Sequence, residues 1–365
     1  MKKFLLKILL LFFVIILSSP RLIFNYFIDT YNIFHTDTIR FTEAEPNYNF
    51  IKTKYILNNK EKFNAFLFGS SRVENIPENN LLKELDECPL NWYNMTYSEG
   101  LPKENFLTLN TFVKNNVDVK FVIVTFDSIC LYRSYEEHCN QLLRMSYQKF
   151  EQNPFDYYLN YLMPSIDKKL LKQVLSYSYE DNKERFNWLY KYGTGIPDLK
   201  IDFDSPIDYS RYKTFNIEYL VKDSFQDLVN IKKLCDNHNI KLILVSNPMF
   251  ITNYKLSIDA GYFDFLEILS TYCDFYCFSG LSVYNTDPHY FYEYSHFKPF
   301  VGNEIAKVLF GNEQEIFESQ RLAALKPEYQ DLFGIKITKD NFKFLRPRLE
   351  QQLEKYKYLL IDYDF

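Results

Sequence analysis

The sequence FNAFLFGSSRVENI, residues 63–76, joins a short apolar run to a glycine followed by two serines. The run predicted as a strand, residues 64–69, is apolar on consecutive positions, which is typical of a strand buried on both faces of a parallel sheet. Gly69 permits a tight turn, so Ser70 and Ser71 follow at the strand's end. Two interpretations stay open: a serine caps the next helix, or Ser71 is a nucleophile presented at the sheet's edge.

Further runs of β-branched and aromatic residues have the length of strands, and helical patterns lie between them. These strands are predicted at NWYNM (91–95), KFVIVTF (120–126), IKLILVS (240–246) and DFYCF (274–278). Helices are predicted at residues 102–116, 216–239 and 301–311. Short apolar strands that alternate with helices predict an α/β fold with a three-layer, doubly wound, mostly parallel five-stranded sheet.

The other segments are assigned from their composition. The region 131–215 is rich in Tyr, Leu and Lys and is predicted to be a helical insertion or lid. The end of the chain is charged, and NFKFLRPRLEQQLEKYKYLLIDY is its clearest helix candidate. The predicted organisation is a membrane anchor or signal segment, an irregular lead-in, an α/β domain that carries the insertion, and a helical tail, at residues 1–24, 25–60, 61–311 and 312–365.

The N-terminus has the charge pattern of a membrane segment. Lys2, Lys3 and Lys7 precede an uncharged apolar run at residues 8–17. Because lysines stay on the cytoplasmic side, this pattern predicts an N-terminal membrane helix with the rest of the chain outside the cytoplasm. A cleaved signal peptide is the alternative, but no small-x-small site follows the run and Pro20 disfavours cleavage.

Composition excludes several classes of protein. Of the 365 residues, 47% are hydrophobic, which predicts a packed globular body, and the net charge of −5 argues against nucleic acid as the main partner. The sequence contains no P-loop, dinucleotide-binding glycine motif, His-Glu-x-x-His motif or EF-hand loop, so neither a cofactor nor a metal is predicted. The six cysteines lack the spacing of a zinc site. Cys130 and Cys139 can close a disulfide loop, or the thiols are buried and free.

A serine nucleophile needs a base, and the base needs an acceptor that orients it. Among five histidines, His296 follows the last predicted strand, so we expect it at the same rim of the sheet as Ser71. Glu293, three residues earlier, can reach the histidine Nδ1–H within a turn, and Asp287 is the alternative carboxylate. A histidine that only packs in an aromatic loop is the other interpretation.

Three stretches resemble signature blocks of the SGNH/GDSL hydrolase superfamily, which implies a flavodoxin-like sheet. LFGSSRV resembles the first block, with Ser71 as the nucleophile, and YNMTYSEG is similar to the second, with Gly100 contributing its N–H to the oxyanion hole. YFYEYSHFKPFVGNEI resembles the last block, Asp-x-x-His, with Glu293 in place of Asp before His296. The resemblance covers residues 20 to about 311.

The order of anchor, lead-in, serine block and late histidine resembles the membrane-anchored, extracytoplasmic branch of that superfamily. This branch includes proteins resembling alginate O-acetylation factors and the teichoic acid D-alanine transfer protein. The resemblance implies a serine acyltransferase or esterase that adds or removes O-acyl groups on a cell-surface polysaccharide, with an integral-membrane acyltransferase as acyl donor. It also implies a single-pass protein of the bacterial inner membrane, with its main domain in the periplasm or outside the cell.

The sequence departs from the superfamily at the third block, Gly-x-Asn, because FVIVTFDSICL occupies that strand. The oxyanion hole would then depend on the backbone N–H groups of Ser71 and Gly100, with Asn94 as a further donor. Losing one donor typically costs on the order of a hundredfold in rate. The alternative function is therefore a catalytically inactive binding or assembly protein, for a surface glycan or for the membrane acyltransferase.

Two more polar residues are expected near the cleft. Arg72 is predicted to hold an anionic substrate group, or else to form an ion pair with Glu74 or Asp127 that locks the turn. Asn247 follows a predicted strand and is predicted to line the cleft for substrate binding.

Overall fold

The structure is a computed structural model, and it describes residues 7, 20–35, 45–77, 80–165, 172 and 224–363. Most of the predicted membrane anchor lies outside the described residues, and residues 20–28 are helical. No helix in the described part of the chain combines the length and the apolar character that a membrane span requires. Contacts divide the chain into two compact units, which are Met1–Tyr55 with Glu136–Tyr190 and Ile56–Tyr135 with Lys191–Phe365.

The second unit is built on a six-stranded sheet. Its strands are β1 (Ala65–Phe68), β4 (Trp92–Asn94), β5 (Phe121–Phe126), β6 (Lys241–Ser246), β7 (Phe275–Cys277) and β8 (Ile335–Ile337), and a separate hairpin is formed by β2 (Glu84–Leu85) and β3 (Cys88–Pro89). The spatial order is β4-β1-β5-β6-β7-β8, with all neighbours parallel except β7 and β8. The prediction of a mostly parallel α/β sheet is confirmed, and all five predicted strands are present.

The predicted number of five strands is wrong, because β8 adds an antiparallel edge strand from the segment predicted as a helical tail. Only three residues, Ile335–Ile337, form this strand. A segment that short shows neither a strand period nor a helix period in the sequence. Its pairing with β7 is a tertiary contact that composition did not reveal.

The order of the strands places a topological switch point at β1. Since β1 lies between β4 and β5, the chain leaves β1 in one direction and later passes it in the other. In open α/β sheets, ligands bind outside the carboxyl ends of the strands at such a switch point. Residues that follow β1 and its neighbours are therefore the first candidates for a site.

Helices contact both faces of this sheet. The rings of Phe66 and Phe68 contact Phe112 of the helix Pro102–Lys114. Phe121, which pairs in register with Ala65 and so points to the opposite face, contacts Phe310 of the helix Pro299–Phe310. Successive side chains of a strand point to opposite faces, so the sheet lies between two helical layers.

The helices, labelled in chain order, are α1 (Tyr48–Asn58), α2 (Pro102–Lys114), α3 (Ile129–Tyr132), α4 (Tyr135–His138), α5 (Tyr147–Gln152), α6 (Pro154–Leu162), α7 (Ser224–Asn237), α8 (Ile251–Asp259), α9 (Tyr262–Ser270), α10 (Val283–Thr286), α11 (Pro299–Phe310), α12 (Glu313–Ala323) and α13 (Phe342–Tyr356). The three predicted helices of the α/β domain correspond to α2, α7 and α11, although residues 216–223 lie outside the described residues. The predicted tail helix corresponds to α13.

The first unit has its own aromatic core. Phe50 of α1 stacks on Tyr157 of α6 with ring centroids 5.0 Å apart, and Tyr161 and Met145 are buried in the same cluster. The segment predicted as an irregular lead-in therefore contains a helix that supplies core residues. The insertion predicted at 131–215 is helical in α3 to α6, and its later part lies outside the described residues.

The cysteines with described side chains form no disulfide. They are Cys88, Cys139, Cys235, Cys273 and Cys277, of which the last three are buried. The alternative of buried, free thiols therefore holds for Cys235, Cys273 and Cys277, whereas Cys88 and Cys139 are free but only partly buried. The side chain of Cys130 lies outside the described set.

Candidate active site

The turn after β1 places Ser71 at the carboxyl end of the sheet. Gly69 has φ 155°, and a Cβ atom there would lie 2.0 Å from Thr125 Oγ1, so the turn requires glycine. Ser70 is the N-cap of the 3₁₀ turn Ser71–Val73, and its hydroxyl accepts a hydrogen bond from the Arg72 N–H at 3.4 Å. The capping interpretation therefore applies to Ser70, and the partly buried Ser71 hydroxyl is directed elsewhere.

His296 lies in a short antiparallel loop after β7. Phe291 and Phe297 form an isolated bridge, and the Tyr292 N–H donates to the His296 carbonyl at 2.8 Å. These contacts hold the histidine at the end of a tight turn. The Ser71 Oγ lies 2.9 Å from His296 Nε2, although 225 residues separate the two along the chain.

Glu293 is the carboxylate partner of this histidine. Its Oε1 accepts hydrogen bonds from His296 Nδ1, in a short contact, and from the His296 N–H at 2.9 Å. Its Oε2 accepts the Ser295 N–H at 3.0 Å. The Glu293 carboxylate therefore accepts from both the backbone of its own loop and the imidazole ring of His296.

Burial alone would raise the pKa of the Glu293 carboxyl, because desolvation disfavours the charged form. The hydrogen bond and charge of His296, together with the amides of Ser295 and His296, outweigh this effect and lower the pKa below its ordinary value. An ionised Glu293 fixes the proton of the ring on Nδ1. His296 Nε2 is then the acceptor, and the Ser71 hydroxyl donates to it.

The structure therefore brings together the three residues predicted as a triad, Ser71, His296 and Glu293. Asp287, the alternative carboxylate, is bonded instead to His289, with 2.6 Å between Oδ1 and Nδ1. That second pair is solvent-exposed, with side-chain exposures of 52% for the histidine and 43% for the aspartate. Among the described residues, no hydroxyl is bonded to the His289 ring.

The predicted oxyanion donors are placed differently from the expectation. Gly100 does lie against the serine turn, since a Cβ on it would be 2.4 Å from the Gly69 carbonyl oxygen. Its N–H, however, donates to the Tyr97 carbonyl at 3.1 Å. The Ser71 N–H, which follows the isolated parallel bridge between Ser70 and Tyr97, stays the predicted backbone donor to an oxyanion.

Asn94 is also committed elsewhere. It is fully buried, its Oδ1 accepts from the N–H and the hydroxyl of Thr96 at 2.9 and 2.6 Å, and its Nδ2 donates to the Glu74 carbonyl at 3.3 Å. The Gly100 N–H and one of the two amide hydrogens of Asn94 thus have acceptors within the protein, and the contribution of these residues to an oxyanion hole stays a prediction.

The two predicted substrate-binding residues are buried around Asp127. Arg72 Nη1 lies 3.0 Å from Asp127 Oδ1, and side-chain exposure is 3% for the arginine and 0% for the aspartate. Asn247, also fully buried, donates its Nδ2 to Asp127 Oδ2 at 3.2 Å. The ion-pair alternative holds for Arg72. Both side chains are buried against Asp127, and the expectation that Arg72 and Asn247 contact substrate stays a prediction.

Sequence reasoning missed the part played by Ser295, whose hydroxyl accepts from Arg72 Nη2 at 3.4 Å. One signal was available: Asp127 directly follows the strand FVIVTF, whose one polar residue is Thr125, and a charge in that position needs a partner when it is buried. Nothing in the sequence indicated that the residue before His296 would be the other contact.

No group of three or more His, Cys, Asp or Glu side chains suited to a metal ion occurs among the described residues. The chemistry supported by this arrangement is nucleophilic, with a hydroxyl, a base and a carboxylate in sequence. No protein-family model matches the chain, and a search of curated proteins finds no match to it either.

Proposed function

We propose that this protein is a serine acyltransferase or esterase with a Ser71–His296–Glu293 triad. The observation that carries the proposal is the 2.9 Å contact between Ser71 Oγ and His296 Nε2, combined with the carboxylate of Glu293 on the opposite ring nitrogen. Nucleophile, base and orienting acceptor are each within hydrogen-bonding reach of the next, which is the geometry that activates a serine.

The reaction follows from these contacts. Ser71 Oγ attacks the acyl carbon while His296 Nε2 takes its proton, and Glu293 stabilises the imidazolium that forms. The Ser71 N–H donates to the oxyanion of the tetrahedral intermediate. The protonated His296 then gives its proton to the leaving oxygen, which leaves an acyl group on Ser71. Water or a sugar hydroxyl, deprotonated by the same imidazole, removes that group.

The substrate and the setting rest on the family resemblance. We propose a cell-surface polysaccharide as the acyl acceptor or acyl-bearing substrate, and an integral-membrane acyltransferase as the acyl donor. In this proposal the N-terminal segment anchors the protein in the bacterial inner membrane, with the catalytic unit in the periplasm or outside the cell. No cofactor enters the reaction.

A second function has one observation in its favour. The N–H of Gly100 and the amide of Asn94 are both engaged within the protein, which leaves the oxyanion with fewer donors than the superfamily provides. A protein with this fold and an inactive site would bind a surface glycan or the membrane acyltransferase without turnover.

Labelling with a fluorophosphonate, which reacts with activated serines, separates the two functions. We expect the wild-type protein to be labelled, and Ser71→Ala and His296→Ala to abolish labelling. His289→Ala is the matched control, because it removes a histidine that also has a carboxylate partner but no serine. Labelling that survives in Ser71→Ala, or an unlabelled wild-type protein with an accessible site, contradicts the enzymatic function.

A further inference from the structure

We propose that the buried Arg72–Asp127 ion pair is the positioning device of this site, holding the serine turn and the histidine loop in register with each other. The inference rests on the proposed function, because it assigns to this pair the geometry that the triad needs. Neither residue touches the reacting atoms, so both are positioning residues rather than catalytic ones.

The Asp127 carboxylate is held in place by four hydrogen bonds. Its Oδ1 accepts Arg72 Nη1 at 3.0 Å and the Ile129 N–H at 2.8 Å. Its Oδ2 accepts Asn247 Nδ2 at 3.2 Å and the Ser70 hydroxyl at 3.4 Å. These four donors come from the segments that follow β1, β5 and β6, so one carboxylate joins the carboxyl ends of three neighbouring strands.

Arg72 connects Asp127 to both the serine turn and the histidine loop. It is the residue after Ser71, so a fixed guanidinium restrains the turn that presents the nucleophile. Its Nη2 donates to the Ser295 hydroxyl at 3.4 Å, and the Ser295 N–H donates to Glu293 Oε2 at 3.0 Å. The carboxylate that orients His296 is therefore two hydrogen bonds away from the arginine beside the serine.

Arginine suits this position for a physical reason. A planar guanidinium presents two terminal nitrogens in a fixed fork, so it contacts Asp127 and Ser295 at the same time without rotating. A lysine in the same place keeps the charge but is a single point donor on a flexible stem. Burial also makes the pair rigid, because few solvent molecules compete for its hydrogen bonds.

The test compares Arg72→Lys with Arg348→Lys. Arg348 on α13 forms a forked ion pair with Asp331, at 2.6 and 2.7 Å, on the protein surface and outside the site. The measured quantities are the rate constant of fluorophosphonate labelling and the urea midpoint of unfolding, each for the full-length protein. We expect Arg72→Lys to remain folded but to be labelled about ten- to a hundredfold more slowly, since misplacement by about 1 Å costs on this order. The control should be labelled at the wild-type rate.

If a folded Arg72→Lys protein is labelled at the wild-type rate, the inference is overturned. If that variant does not fold, Ser295→Ala takes its place, because it removes only the hydroxyl that Arg72 reaches and leaves the ion pair intact. We expect that variant to be labelled about fivefold more slowly, the loss expected for one hydrogen bond. A wild-type rate there would also overturn the inference.

A readout that does not depend on activity separates this inference from the proposed function. In protein with ¹⁵N-labelled histidine, the Nδ1–H proton of His296 gives a resonance that reports its bond to Glu293, and His296→Ala assigns it. If wild-type protein is not labelled by the probe, the proposed function fails, and this resonance still decides the inference. A shifted or broadened signal in Arg72→Lys supports positioning, and an unchanged signal refutes it.

Discussion

Replacing Glu293 by glutamine is the most direct perturbation of the proposed triad, because it changes one charged oxygen to an amide nitrogen at nearly constant volume. In the wild-type protein Oε1 accepts from the ring and from the His296 N–H, and Oε2 accepts from the Ser295 N–H. A glutamine has one acceptor oxygen for these three donors. Either the Ser295 N–H loses its acceptor, or the His296 N–H and the ring Nδ1–H lose theirs.

Both orientations of the amide impair the base. If the amide NH₂ faces His296 Nδ1, the ring takes the other tautomer and Nε2 carries a proton, so it no longer accepts one from Ser71. If the amide oxygen faces the ring, the tautomer is kept but the imidazolium loses its counter-charge. At an effective dielectric constant near 20 and a separation of about 4 Å, that charge interaction is worth about 4 kcal/mol. This corresponds to roughly a thousandfold in rate.

We therefore expect Glu293→Gln to lower the rate constant of fluorophosphonate labelling by about a thousandfold, with Ser71→Ala as the zero point and His289→Ala as the unaffected control. Circular dichroism and the urea midpoint establish that the variant is folded before rates are compared. A labelling rate within a fewfold of wild type, in folded protein, would refute the assignment of this carboxylate and leave His296 acting without it.

Three further outcomes test the rest of the structure. The lowered pKa of Glu293 means that its ionised form stabilises the fold at pH values above the unfolded-state pKa of about 4.3, and that this contribution is lost as the pH falls through the folded-state pKa. The urea midpoints of wild type and Glu293→Gln should thus differ most above the unfolded-state pKa and converge as the pH falls below it. Gly100→Ala places a Cβ 2.4 Å from the Gly69 carbonyl oxygen, so we expect a loss of about 1–3 kcal/mol in unfolding free energy, and a stability equal to wild type would contradict the close approach. Burial raises the pKa of the Cys235 thiol to about 12 and that of Cys273 to about 11, so both should resist iodoacetamide at pH 8 until urea unfolds the protein, as followed by mass spectrometry.

Much of the α/β architecture was predictable because parallel strands buried on both faces have a distinct composition. Residues 121–126 are buried at every position, and the sequence FVIVTF has no polar residue except one threonine. β8 and α1 were not predictable in the same way. β8 is defined by its partner β7, and α1 has a weak apolar stripe whose significance comes from the aromatic rings of α6 that cover it.

The site was predictable where its residues form short patterns in the sequence. Ser71 follows a buried strand and a glycine, and Glu293 lies three residues before His296, so each half of the triad leaves a short pattern in the sequence. The oxyanion donors and the surroundings of Arg72 leave no such pattern. Whether the N–H of Gly100 is available depends on the fold of the loop that begins at Tyr97, which already accepts it.

The order of residues along the chain determined the strand type, the glycine turn and the presence of the serine, the histidine and the glutamate of the proposed triad, because these depend on neighbours a few positions apart. Folding alone determined that Ser71 and His296 meet across 225 residues, and that Arg72 turns inward to Asp127 rather than outward to a ligand. The physical reason is burial. A charge beneath the carboxyl ends of three strands must find a partner there, and only the packed sheet specifies which partner lies within reach.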